Sequence, residues 1–109
     1  MSLLEAPMHP GAVLKELYLD PLGMSAIAFA RRLNVPRTRI ERLVKGVTGV
    51  TPDTALRLAR AFNTTAAYWM NMQTNYDMAM AAKEIDVSGI EPLESEALAP
   101  SGPNGRSTP

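Results

Sequence analysis

Helix-starting and helix-ending signals follow one another closely between residues 10 and 65, and this constrains the chain more than any other feature. Pro10, Ser25, Pro36, Thr51-Pro52-Asp53 and Thr64-Thr65 are start signals, while Asp20-Pro21-Leu22-Gly23, Asn34, Gly46 and Asn63 are stop signals. Apolar residues between them recur at helical spacing, and no run of four or more residues alternates cleanly enough for a strand. Short helices are marginal in water on their own, so such segments must pack against one another. The expected class is all-α.

Five helices follow. The first starts at Pro10, carries Val13, Leu14, Leu17 and Tyr18 as its apolar stripe, and ends at Asp20-Pro21-Leu22-Gly23. Ser25 caps the second, Ala26 to Leu33, and Asn34-Val35-Pro36 breaks it. The third spans about 36–45, turns Ile40, Leu43 and Val44 inward, and stops at Gly46. Thr51-Pro52-Asp53 opens the fourth, which runs to Phe62 and buries Ala55, Leu58, Ala59 and Phe62. Thr64 or Thr65 caps the fifth and longest, about 65–83. Beyond Ile85 prolines fall at 92, 100, 103 and 109 and no aromatic remains, a composition that predicts disorder. The expected organisation is an arm over 1–9, one folded domain over 10–84 and a flexible acidic, Pro-rich tail over 85–109.

The net charge of zero is an average over unlike regions. Residues 31–60 hold Arg31, Arg32, Arg37, Arg39, Arg42, Lys45, Arg57 and Arg60 against Glu41 and Asp53, while both flanking regions are net acidic. A concentrated basic block is the electrostatic mark of a polyanion-binding surface, or else a solvated face of ordinary helices. Its placement favours the first. Two short helices joined by a tight turn, with the basic residues on the second, is the layout of a DNA-reading helix-turn-helix. With Ala30, Leu33, Val35, Ile40 and Leu43 inward, helical spacing sends Arg37, Thr38, Glu41, Arg42 and Lys45 outward, with Arg39 at the edge. Guanine presents two acceptors that Arg meets with two donors, and thymine presents a methyl group. Arg37, Thr38 and Arg42 are therefore the base-edge candidates. Arg39, Lys45, Arg31 and the helix amides beneath Ser25 are candidates for phosphate.

Several segments resemble a known family. Met8-His9-Pro10-Gly11-Ala12-Val13-Leu14, Asp20-Pro21-Leu22-Gly23-Met24-Ser25, Leu33 to Ile40, Thr51 to Ala59 and Tyr68-Trp69-Met70-Asn71-Met72-Gln73 arrive in the order seen in HigA-type antitoxins. These are VapI-like addiction-module members of the xenobiotic-response-element (XRE) helix-turn-helix family. The resemblance covers roughly residues 8–80. It implies a five-helix, lambda-repressor-like DNA-binding domain that dimerises, represses its own operon and neutralises a HigB-type toxin, itself similar to the RelE-fold nucleases that cut messenger RNA. Asn34 stands where the family often has Gly, a mild change because Asn also adopts the left-handed conformation. The segment beyond Ile85 has no counterpart in the resemblance.

Trp69, Met72, Tyr76 and Met80 form an apolar stripe on the fifth helix, suited to the domain's own core or to a partner helix; a dimer interface is the preferred assignment. His9 precedes a helix-starting Pro and is expected to cap. Asp53 is expected to face its own helix dipole, and Arg57 and Arg60 fit either solvated charges or contacts to DNA or an acidic partner. The acids Glu84, Asp86, Glu91, Glu94 and Glu96 keep the tail solvated or meet a basic partner.

With no Cys and one His there is little from which to build a metal site or a nucleophile–base pair, so no cofactor and no enzymatic activity are expected. No apolar run approaches the roughly 20 residues of a membrane span, and no basic start precedes an apolar stretch, so a cytoplasmic protein, nucleoid-associated when on its operator, is expected. The expected partners are an operator inverted repeat in double-stranded DNA, a second copy and a HigB-type toxin. The rival assignments are an XRE-family repressor without a toxin partner, and an interaction module that no longer binds DNA.

Overall fold

A computed structural model describes residues 7–94, and among them the chain forms five helices and no strand. The expectations for residues 1–6 and 95–109 lie outside the described residues. Helix α1 (10–22) begins as its signals require: His9 is extended, its Nδ1 accepts from the Gly11 N–H at 2.8 Å, and Pro10 occupies the first helical position. The helix is not regular. Pro10–Val13 and Asp20–Leu22 are α-helical, but Leu14–Leu19 between them forms a π-helical stretch.

Pro21 explains the irregularity. In a regular α-helix its ring would press on the carbonyl four residues back, and a wider turn relieves that pressure. The Asp20 N–H accordingly reaches back five residues to Lys15 O. The chain therefore runs through Asp20-Pro21-Leu22 as helix and stops at Gly23, which takes φ +64°. Widening the turn also shifts the buried face. Val13, Leu14 and Leu19 are buried and Tyr18 half-buried, whereas Leu17, expected on the stripe, is 62% exposed.

The next boundaries follow the caps. Helix α2 (Ala26–Leu33) opens with Ser25 Oγ accepting from the Ala28 N–H at 3.0 Å and closes at Asn34, φ +60°. Helix α3 (Arg37–Val44) is one residue shorter at each end than expected, because Pro36 is extended and serves as the cap while Lys45 closes the helix. Gly46 follows at φ +76°. Helix α4 (Pro52–Phe62) is capped by Thr51, whose Oγ1 accepts from Thr54, and ends at Asn63, φ +56°. Helix α5 (Ala66–Glu84) is capped by Thr65. Residues 85–94 carry no helix; they hold a tight turn in which the Ile90 N–H donates to Val87 O at 3.0 Å.

Helix α2 packs on α3, α4 on α5, α1 against both α3 and α5, and α2 against α4. Leu14, Ile40, Leu43, Leu58 and Trp69 are fully buried between them. Gly11 lets α1 approach the backbone of α3 closely: a Cβ there would collide with Leu43 O. At the other end Tyr18, Phe29, Phe62 and Trp69 form an aromatic cluster, with Phe29 stacked on Phe62 at 5.2 Å and Tyr18 at 4.4 Å from Phe62. The Tyr18 hydroxyl, 3.2 Å from that of Tyr68, is pushed up to about 12 by this hydrogen bond and by burial.

His9 ties the start of α1 to α5. Its ring meets Tyr76 edge-on at 4.8 Å, and burial holds the imidazole below its ordinary 6.5 against the opposing pull of Asp77 and of a hydrogen bond with the Thr48 backbone. The cap also requires Nδ1 to remain an acceptor. Between the lowered folded value and 6.5 the unfolded chain binds more protons, so stability is complete above 6.5 and falls as pH drops through that window. Urea unfolding midpoints should decline from pH 7.5 to pH 5, and His9→Asn, which retains a capping oxygen, should flatten the part of that decline above pH 5.

Candidate nucleic-acid interface

Helices α2 and α3 are joined by a turn that leaves few backbone groups unpaired. The Val35 N–H donates to Ala30 O at 3.1 Å and the Asn34 N–H to Arg31 O at 3.2 Å, closing α2 through the left-handed Asn34. Helix α3 then buries Ile40 and Leu43 completely and turns Arg37, Thr38, Arg42 and Lys45 to solvent. Pro36 offers no side-chain cap, so the first-turn amides of α3 lie at its exposed, basic end.

Two open clefts flank α3. Arg31 and Arg37 line one of 340 Å³, at the junction of α2 and α3. Thr38, Arg39 and Arg42 line another of 360 Å³, shared with Thr48, Gly49 and Thr51 at the start of α4. The structure thus groups Arg37 with Arg31, and Thr38 with Arg42 and Arg39. Ser25 and Lys45 line neither cleft; Ser25 sits at the far end of α2, and Lys45 closes α3, both exposed. Thr48 and Thr51 were missed from sequence as lining groups, because only the fold brings the loop after α3 against its second turn.

Arg39 is placed differently from the other cations. Its guanidinium lies 2.9 Å from Asp53 Oδ1, which also accepts from Arg57 Nε at 2.6 Å. These hydrogen bonds, Arg57 first and Arg39 second, hold the Asp53 carboxyl below its ordinary 3.8. Asp53 therefore faces its helix end, as expected, and also joins α3 to α4. The pair is roughly half exposed, the regime in which such bridges are weak and exchange readily for another anion. Arg57 has a second partner in Leu33 O at 2.8 Å, so it braces the end of α2, whereas Arg60 is exposed.

Helix α5 holds the site from behind. Gln73 is buried, its Oε1 accepts from the Val50 N–H at 2.6 Å, and its Nε2 donates to Asp77 at 2.9 Å. Gly49 lies flat on that amide, with a Cβ position only 2.7 Å from Gln73. No signal in the sequence singled out Gln73, since the need for an acceptor arises only when Val50, the last residue of the otherwise exposed loop, is buried. The expected interface stripe divides here. Trp69 is entirely buried, with Nε1 donating to Thr64 Oγ1 at 2.9 Å, because Tyr18 of α1 and Phe62 of α4 pack against its ring; it is a core residue and does not face a partner. Met72, Tyr76 and Met80 are half-buried.

Among the described residues no cluster of His, Asp or Glu could hold a metal, and no helix is long and apolar enough to cross a membrane.

A helix-turn-helix family model matches residues 14–69. Virulence-associated protein I of Dichelobacter nodosus is 46% identical over 91 residues, covering 83% of this chain and 84% of that protein. Among solved structures, antitoxin HigA of Pseudomonas aeruginosa with the higBA promoter superposes with a TM-score of 0.74 at 38% identity, over 81% of this chain and 99% of that one. Antitoxin GraA in complex with its operator gives 0.77 at 32% identity, over 84% and 95%.

The Gln73 hydrogen bond can be tested directly. Gln73→Met keeps the volume but leaves the Val50 N–H buried without a partner, which should destabilise the fold by about 1–3 kcal/mol in urea unfolding.

Proposed function

Because this chain belongs to the helix-turn-helix family, among its HigA-type antitoxin members, we propose that it is a dimeric, sequence-specific DNA-binding antitoxin that represses its own operon. The observation that carries this is the division of α3: Ile40 and Leu43 are sealed in the core while Arg37, Thr38 and Arg42 project outward. A helix so held can enter a major groove without distorting the domain. Arg37, Thr38 and Arg42 are assigned to base edges, and Ser25, Arg31, Arg39 and Lys45 to phosphates. Arg39 exchanges Asp53 for a phosphate on docking. Met72, Tyr76 and Met80 are assigned to the dimer interface, and a two-fold dimer reads an inverted repeat with half-sites one turn, roughly 34 Å, or a multiple of it apart. The family is one of DNA-binding regulators, not enzymes.

Titration of labelled DNA from upstream of the gene, beside scrambled DNA, tests this assignment. Arg37→Ala or Arg42→Ala should weaken operator binding by about 1–3 kcal/mol and leave scrambled DNA less affected, while Lys45→Ala weakens both alike. Equal losses on both DNAs for Arg37→Ala would remove it from base reading.

The kinship with HigA antitoxins supports a second activity, neutralisation of a HigB-type, RelE-fold toxin that cleaves messenger RNA. A small basic reading frame beside the gene is its natural candidate. Expression of that frame should arrest growth, and co-expression of this chain should restore it; a frame that is harmless alone leaves a repressor without a toxin.

A further inference from the structure

A groove between α2 and α4 is left uncovered. It consists of two adjoining cavities of 450 and 480 Å³ that share Arg32 and Ala61, with Leu56 on one side and Leu22 and Met24 on the other. Leu56 and Leu22 are 64% and 61% exposed, a high value for large aliphatic groups lining a concavity. Arg32 and Arg60 stand on its rim and pair with no acid among the described residues. The groove is thus lined mainly by apolar groups and basic at the edge, the one acid on its wall, Asp53, being held by Arg57 and Arg39.

The segment after α5 has the complementary character. Ile85, Val87, Ile90 and Leu93 are 60–81% exposed, and Asp86, Glu91 and Glu94 lie among them. Four aliphatic side chains on ten residues would not remain in water if a fitting surface were within reach. Its own groove lies at the limit of that reach: ten fully extended residues span at most roughly 33–36 Å, and the turn from Val87 to Ile90 shortens them. The groove ends at Phe62 and Asn63, just before α5 starts, and α5 then runs 19 residues, about 28 Å, before the segment leaves it.

We propose that residues 85–94 of one copy dock in the α2–α4 groove of a second copy, with Ile90 and Leu93 against Leu56 and Ala61, and Glu91 and Glu94 against Arg32 and Arg60. This rests on the α5 dimer proposed above. A two-fold axis that packs the α5 helices antiparallel puts the end of one beside the start of the other, and so each segment beside its partner's groove, twice over. Charge complementarity favours this occupant, since the basic rim and the acidic segment belong to the same sequence.

The chain has no Cys, so site-specific cross-linking is clean. Full-length Leu93→Cys and a mass-tagged full-length Ala61→Cys are mixed and treated with a short bismaleimide. The mixed product should form, fall at least tenfold when the Ala61→Cys chain also carries Arg32→Glu and Arg60→Glu, and recover when its partner carries Glu91→Arg and Glu94→Arg. Three results would overturn the proposal: linkage only within one chain of a third variant carrying both Leu93→Cys and Ala61→Cys, with none in the mixture, linkage only of Leu93→Cys to itself, or a tail that stays unlinked until the cognate toxin is added and then joins the toxin. Sedimentation of Met80→Glu separates this from the α5 assignment. A wild-type dimer that Met80→Glu dissociates, yet that yields no mixed product, removes the docked segment alone; a dimer that survives Met80→Glu removes the α5 interface.

Discussion

An eight-residue helix cannot hold itself together in water, and α3 is no longer than that. Whatever its outward face does therefore depends on what grips its inward face. Ile40 and Leu43 supply the grip by burial, Gly11 admits the backbone of α1 to within contact of Leu43, and Asn34 sets the angle at which α3 leaves α2. Removing water from two side chains on an eight-residue helix leaves the rest of that helix no freedom to rotate. Its cations are consequently displayed in a fixed arrangement, a precondition for matching donors to base edges.

The loop that follows α3 shows how far this support extends. Most of it is exposed, but its last residue, Val50, is buried against α5, and the Gln73 side chain and the glycine at 49 settle that burial together: the amide supplies the acceptor for Val50, and only a residue without Cβ lets it come close enough. His9 closes the same region from the other side, capping α1 while resting on Tyr76. Three elements distant in sequence thereby converge behind the exposed helix.

What could be read from sequence was local. His9, Ser25, Thr51 and Thr65 cap because a side-chain acceptor and the amides it serves lie within three residues of each other, and Asn34, Asn63, Gly23 and Gly46 stop helices through their own backbone conformation. The placement of Arg37, Thr38 and Arg42 on one exposed face followed from helical spacing once Ile40 and Leu43 were inward. Nonlocal features escaped. Leu17 seemed buried because a regular turn was assumed, and the effect of Pro21 on the turn before it moved Leu19 into its place. Trp69 seemed to belong with Met72, Tyr76 and Met80, since spacing alone cannot tell that Tyr18 of α1 and Phe62 of α4 enclose it. Arg57 gave no sign that its partner would be a carbonyl 24 residues away.

The division of α5 has a thermodynamic consequence. Its first half is held by Trp69 and the aromatic cluster, its middle by Gln73, and its second half carries half-buried Tyr76 and Met80 before an exposed aliphatic segment. A 19-residue helix anchored at one end and underpacked at the other loses less entropy when a partner covers the free end than a disordered segment would, because its backbone is already ordered. The same economy does not extend to residues 85–94, which lack helical hydrogen bonds and are held locally only by a turn at Val87–Ile90 and by the Ser88 N–H donating to Asp86. In a dimer built through α5, the helix supplies the preformed part of the contact and the segment beyond it the part that is ordered on assembly.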